Sequence, residues 1–252
     1  MNEDHKDDIK LDPPRANVNR QHHIGVQVIK FEELTGTIAT DQSGRFPIQS
    51  RRGNSYIMLM YDFDSNVIDA TAIKSREAND LVTGYEYLYS HLKEGGVTPQ
   101  LHKLDNEASK QLIQAIKDNK CKYQLAPSYD HRTNPAERAW QTLKNHFLST
   151  LYGVDPEFPR NQWDRLLPQA VMTLNMMRPS RVNPRISAYN QVWGNFRYDK
   201  TPLAPPGCKV VVHKSPEKRA SFAYHGTVGF YVGPAMDHYR CYQIYVPESN
   251  GV

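Results

Sequence analysis

The chain has 252 residues, 39% of them hydrophobic and 23% charged, and a formal net charge of +4. That balance suits a soluble globular protein with a real core, and the mild positive excess permits a nucleic-acid partner without demanding one. Three scattered cysteines (Cys121, Cys208 and Cys241) exclude a disulfide framework. No apolar run reaches membrane-spanning length, and "MNEDHKDDIK" lacks the apolar core of a secretory signal. A nuclear or cytoplasmic location is therefore expected, with no membrane partner and no small-molecule substrate.

Residues 1–35 are polar and lack sustained periodicity, so they are expected to form a partly disordered extension. From Gly36 the pattern sharpens. "GTIATD" predicts a short strand ending at Asp41, "NSYIMLMYDF" a well-buried strand, and "NVIDATAIK" a third, with "DFDSN" as the turn between the last two. "SREANDLVTGYEYLYSHLKEG" carries Ala78, Leu81, Val82, Tyr85, Leu88, Tyr89 and Leu92 at helical spacing, and Gly95-Gly96 ends it. "PQLHKLD" predicts a fourth strand ending at Asp105, "NEASKQLIQAIKDNK" a short amphipathic helix, and "KYQLA" a fifth strand.

A loop, "PSYDHRT", leads into "NPAERAWQTLKNHF", where Pro135 suits a first helical turn. Glu137 falls near the third helical position, where a carboxylate meets the positive end of the helix dipole. Local sequence leaves two roles open for it: a cap, or one corner of a metal site. "NQWDRLLPQAVMTLNMMRPS" predicts a further helix, and "YNQVWGNF" closes the domain. After "TPLAPPG", short apolar runs separated by glycine, proline and charge predict a small β-barrel or sheet.

Three strands followed by alternating helices and strands predict a mixed five-stranded sheet flanked by helices, an α/β ribonuclease-H-like architecture. The expected divisions are an extension over 1–35, a core over 36–198 and a small β domain over 199–252. In such a sheet the first and fourth strands are neighbours, which brings Asp41 and Asp105 to one edge with Glu137 facing them. Three converging carboxylates call for Mg²⁺ or Mn²⁺, the hard cations that take oxygen ligands. Two such ions support phosphoryl transfer without a nucleophilic side chain. Asp62 and Asp64, in the turn "YDFDSN", are rival acids of a kind turns favour for local hydrogen bonding.

Taken in order, "TDQSGRFP", "LDNEAS" and "HRTNPAERAWQTLKNHF" resemble the integrase core of long-terminal-repeat retrotransposons, most like the copia-type and related elements. The resemblance continues through "FPRNQWDRLLPQAVMTLNMMRPSRVNP" and "PLAPPGCKVVVH", to "HYRCY". It implies a catalytic, metal-binding triad of Asp41, Asp105 and Glu137 holding two ions, Mg²⁺ or Mn²⁺. It implies 3′-end processing and strand transfer on DNA, with element ends and target DNA as partners, and self-association into a homo-oligomer. Asp62 and Asp64 become structural.

The same resemblance lays Gln141 and Lys144, which share the Glu137 helix face, along the DNA end. Arg132 becomes a phosphate contact in the preceding loop, and Tyr129 a residue that could stack on an unpaired base. Read locally, these four are equally ordinary loop and helix residues. No cysteine precedes Cys121, so the zinc module that integrases carry at the N-terminus is not expected around His22 and His23. The spacing of His213, His225, His238, Cys208 and Cys241 fits no compact zinc pattern. Lys209, Lys214, Lys218, Arg219 and Arg240 make the last domain basic, and the resemblance makes it an SH3-like DNA-binding unit. Two rival functions stand beside this one: another ribonuclease-H-like nuclease, and a catalytically inactive or domesticated fragment that binds nucleic acid.

Overall fold

The computed structural model describes residues 34–105, 108–125, 135–218, 222, 224–249 and 251–252. The expected N-terminal extension, Tyr129 and Arg132 lie outside the described residues.

Five strands form the main sheet: β1 (Thr37–Gln42), β2 (Tyr56–Asp62), β3 (Ile68–Ile73), β4 (Leu101–Leu104) and β5 (Lys122–Leu125). Their spatial order is β3-β2-β1-β4-β5. The first three form an antiparallel meander, and β4 and β5 add on in parallel. Parallel neighbours need a crossover, which α1 (Ala78–Glu94) and α2 (Lys110–Asp118) supply. Three further helices follow: α3 (Pro135–Tyr152), α4 (Trp163–Met177) and α5 (Ala188–Trp193).

The continuous apolar run of β2 is explained by burial on both faces. Ile57, Leu59 and Tyr61 face a core built with Ala139, Leu143 and Phe147 of α3 and Leu166, Ala170 and Leu174 of α4. Met58 and Met60 face the other core, made by Leu81, Tyr85, Leu88 and Leu92 of α1 with Leu112 and Ile116 of α2. Each such side chain fully removed from water contributes about 1.5–3 kcal/mol. Gly84 lets α1 sit close to the sheet: a Cβ there would stand 2.9 Å from Ile73 Cγ2 and 3.1 Å from Met58 Sδ.

Element ends differ from expectation by a few residues. The second helix begins at Lys110, because Ser109 caps it by accepting a hydrogen bond from the Leu112 N–H (3.2 Å). Strand β4 stops at Leu104, which leaves Asp105 just beyond it. The first strand runs one residue past Asp41, to Gln42.

Beyond residue 199 the described residues form an antiparallel sheet of β6 (Lys209–His213), β7 (Gly226–Pro234) and β8 (Tyr242–Tyr245), in the order β6-β7-β8. Phe230, Val232 and Tyr245 join the α3–α4 core, and the Phe158 and Phe230 rings meet edge to face at 5.6 Å. No helix among the described residues is long and apolar enough to cross a membrane.

Candidate active site

Strands β1 and β4 run parallel, pairing Thr37 with Leu101, Ile38 with His102 and Ala39 with Lys103. Continued two positions, this register carries Asp41 onto Asp105, so both carboxylates stand at the same end of the sheet. Glu137 is the third residue of α3. That helix is fixed against the sheet by Ala136, Ala139, Leu143 and Phe147, at spacings of three and four, all buried. Glu137 is left on the exposed side of its first turn.

Asp41 is half-buried, and its Oδ1 accepts a hydrogen bond from the Gln42 N–H at 2.7 Å. Burial pushes its carboxyl above the usual range. The Gln42 N–H opposes that rise, the charges of Asp105 and Glu137 add to it, and Arg76 counters it. The three acids are therefore close enough for each of the other two to disfavour ionisation of Asp41. Among the described residues, however, no group of three His, Cys, Asp or Glu side chains closes to metal-holding distance. The donor chemistry, carboxylate oxygens crowding one half-buried acid, fits a hard divalent cation. Such an ion would offset the part of the rise at Asp41 that comes from the charges of Asp105 and Glu137, the larger part coming from burial.

Asp62 and Asp64 are committed elsewhere. Asp62 is buried, and its Oδ2 accepts from the Ser65 N–H (2.9 Å) and the Ser65 hydroxyl. Asp64 accepts from the Thr35 hydroxyl and the Gly36 N–H, both at 2.8 Å. They hold the β2–β3 turn and the entry to β1.

Gln141 and Lys144 lie exposed on α3 below Glu137, and Gln141 donates its amide to Asn145 Oδ1 at 3.1 Å. In the second sheet, Lys209 and Lys214 are paired with Glu157 (2.7 Å) and Glu248 (3.5 Å), so part of the basic charge read from sequence is already neutralised locally.

Two neighbours of the acids were not legible in the sequence. Arg76, just before α1, donates Nη2 to the Ser43 carbonyl at 2.5 Å and places its guanidinium 5.5 Å from the Tyr56 ring centre. It thus anchors the backbone two residues past Asp41. His102 is buried and neutral, its pKa pulled down to about 3 by burial. It meets the Thr40 hydroxyl at 2.9 Å and stacks on Tyr85, tying β4 to β1 immediately before Asp41. Arg76 stands at the start of the stretch expected to be helical and His102 within the fourth expected strand, and nothing local sets either apart.

No protein-family model matches the chain, and no curated protein does. Among solved structures it is similar to a chain of the simian T-cell lymphotropic virus intasome in complex with PP2A regulatory subunit B56 gamma. That likeness has 15% identity over 78% of this chain and 69% of the other, with a TM-score of 0.50. The catalytic core domain of BIV integrase is also similar, with 15% identity over 62% of this chain and 93% of that one, and a TM-score of 0.45. At these identities the likeness concerns the fold, and the five-stranded mixed sheet with its helices is the ribonuclease-H-like arrangement.

Proposed function

We propose that the chain is the catalytic part of a retrotransposon integrase that processes DNA 3′ ends and joins them to target DNA. The observation that carries this reading is the position of Asp41, in β1, and Asp105, just past β4, at the same end of adjacent parallel strands, with Glu137 in electrostatic reach. Asp41, Asp105 and Glu137 would hold Mg²⁺ or Mn²⁺, two ions in all. When bound, the metal supplies Lewis-acid activation of the attacking oxygen and stabilisation of the leaving one. Asp41 contributes a carboxylate oriented by the Gln42 N–H, and α3 carries Glu137 on a helix clamped to the core. Arg76 fixes the chain beside Asp41, and Lys144 offers a charge to the DNA backbone. The second sheet, in this reading, is an SH3-like DNA-binding unit, and the protein works inside the cell as a homo-oligomer.

The test is nicking of supercoiled plasmid with Mn²⁺ or Mg²⁺. Wild-type activity should vanish in Asp105→Asn, in Glu137→Gln and with chelator, and strand-transfer assays on products then separate an integrase from a plain nuclease. A second reading, DNA binding without cleavage, is favoured by the open spacing of the acids. It is adopted if plasmid is bound but never cut; cutting that ignores both substitutions overturns the assignment of the three acids.

A further inference from the structure

A cavity of about 580 Å³ lies between β3, the C-terminal half of α1, helices α4 and α5, and the turn after β7, and none of the three acids lines it. Its size is that of an ordinary ligand site. One wall is a run of rings. Tyr87 stacks on His91 at 6.3 Å, His91 on Trp193 at 4.8 Å, and Trp193 meets Tyr189 at 5.2 Å. The run is held in place by His91 Nδ1, 2.7 Å from Oδ2 of the buried Asp69.

The lining holds both donors and acceptors; Trp193 Nε1 is a buried donor with no hydrogen-bond partner among the described residues. Gln169 is 3% exposed; its amide nitrogen donates to the Ala204 carbonyl at 2.8 Å, while Oε1 is buried with no hydrogen-bond partner among the described residues. That oxygen is sealed off inside the protein, so it is not a group that a ligand in the cavity would meet. Glu94 and Asp237, at the rim, are exposed carboxylates with no ion-pair partner among the described residues. The one arginine in the lining, Arg165, is already engaged. Its Nε donates to Gln162 Oε1 at 2.7 Å, and its guanidinium lies 5.8 Å from the Tyr245 ring centre. The charge of His91 is answered by Asp69.

Two exposed carboxylates and an aromatic wall suit a flat, donor-rich cation. A guanidinium has that form: five N–H groups in a plane, weakly hydrated, and prone to stack on rings. A lysine ammonium is compact and strongly hydrated, and uses the ring wall less well. The cavity also exceeds a guanidinium in volume, leaving room for the peptide that carries one. We propose that this cavity is a docking pocket for an arginine side chain of a partner peptide. The proposal does not rest on the integrase reading, since none of the three acids takes part in it.

The experiment is isothermal titration of the full chain with a blocked peptide bearing one central arginine among glycines, at low ionic strength. The citrulline version, which keeps the shape and removes the charge, and free methylguanidinium are the controls. The arginine peptide should bind saturably, the citrulline peptide at least tenfold more weakly, and methylguanidinium more weakly than the peptide. The double variant Glu94→Gln with Asp237→Asn changes exposed side chains and should weaken the arginine peptide at least fivefold. Trp193→Leu, with its thermal unfolding checked against wild type, should weaken it by a similar factor. The proposal is overturned by the absence of saturable binding, by equal binding of the citrulline peptide, or by an unchanged affinity in the double variant. Methylguanidinium binding as tightly as the peptide would overturn the peptide as its source.

Discussion

Asp41, inside β1, and Asp105, one residue past the end of β4, stand at the same end of two hydrogen-bonded parallel strands, so the fold brings two like charges near each other. A polypeptide gains nothing in stability from this arrangement. The cost is sustained by the rest of the sheet, where β1 is paired on both sides and packed on both faces.

The first prediction concerns that cost. The folded pKa of Asp41 lies above its ordinary 3.8, chiefly through burial, so the native state binds this proton more tightly than the unfolded chain does. Its penalty is absent below pH 3.8 and grows as pH rises through the raised folded value. Asp41→Asn should therefore raise the melting temperature at pH 7 in metal-free buffer, by about 2–4 °C for a gain of about 1 kcal/mol. Mg²⁺ should stabilise the wild type by about 1.4 kcal/mol at ten times its dissociation constant. That increment should disappear in Asp41→Asn. Scanning calorimetry with and without Mg²⁺ measures both effects.

His91 gives a pH dependence of the opposite sense to the one its burial alone would give. Its hydrogen bond to Asp69 raises its pKa above 6.5, outweighing burial. The pair's stabilisation is fully present below pH 6.5 and is lost as pH rises through the raised folded value. The His91 side chain is 41% exposed, so screening limits the effect to about 0.5–1 kcal/mol. Stability of wild type relative to His91→Gln should decline over that interval, and urea titrations at several pH values follow it.

Asn175 should be among the most costly polar residues to lose. Strand β3 is a sheet edge, and Asn175 closes it: Oδ1 accepts from the Ile68 N–H at 2.9 Å, and Nδ2 donates to the Ile68 carbonyl at 2.7 Å. The residue is 0% exposed. Asn175→Leu strands two buried backbone groups, at about 1–3 kcal/mol each. A loss of about 2–6 kcal/mol in urea unfolding is expected, and Asn175→Asp should not restore it, because a carboxylate cannot donate to the Ile68 carbonyl.

That residue also marks where the sequence stopped being readable. Burial follows period, so Ile57 to Tyr61 and Leu81 to Leu92 declared their strand and helix in advance, and the order of elements named the mixed sheet. That Asp41 and Asp105 lie at one end of the sheet was legible because the order of elements makes the first and fourth strands neighbours. Asn175, Asp164 and His102 were not, because a polar residue inside an apolar stripe reads as solvent-facing until its partner is known. The partners of Asn175 and Asp164, Ile68 and Arg52, lie more than 100 positions away. No local pattern contains such a pairing.

The motif "TDQSGRFP" supports a last prediction, because much of it serves packing. Ser43 exchanges hydrogen bonds with Ile57, its N–H donating to the Ile57 carbonyl and its hydroxyl accepting the Ile57 N–H, both at 2.8 Å. Phe46 stacks on Trp163 at 4.1 Å, and Trp163 Nε1 donates to the Ile48 carbonyl at 2.8 Å. Trp163 is 1% exposed and also meets Phe147 of α3. One indole thus joins the segment after Asp41 to the helix that carries Glu137. Trp163→Ala should cost about 3–5 kcal/mol. Trp163→Phe keeps most of the ring but frees the Ile48 carbonyl, at about 1 kcal/mol for a bond to a partly exposed group. The discriminating measurement is hydrogen exchange of the Phe46 N–H, which donates to the Ser55 carbonyl at 2.7 Å. In Trp163→Phe its protection should fall while that of β2 amides holds. Uniform loss across both would mean the indole supports global stability alone and does not tether the segment beside Asp41.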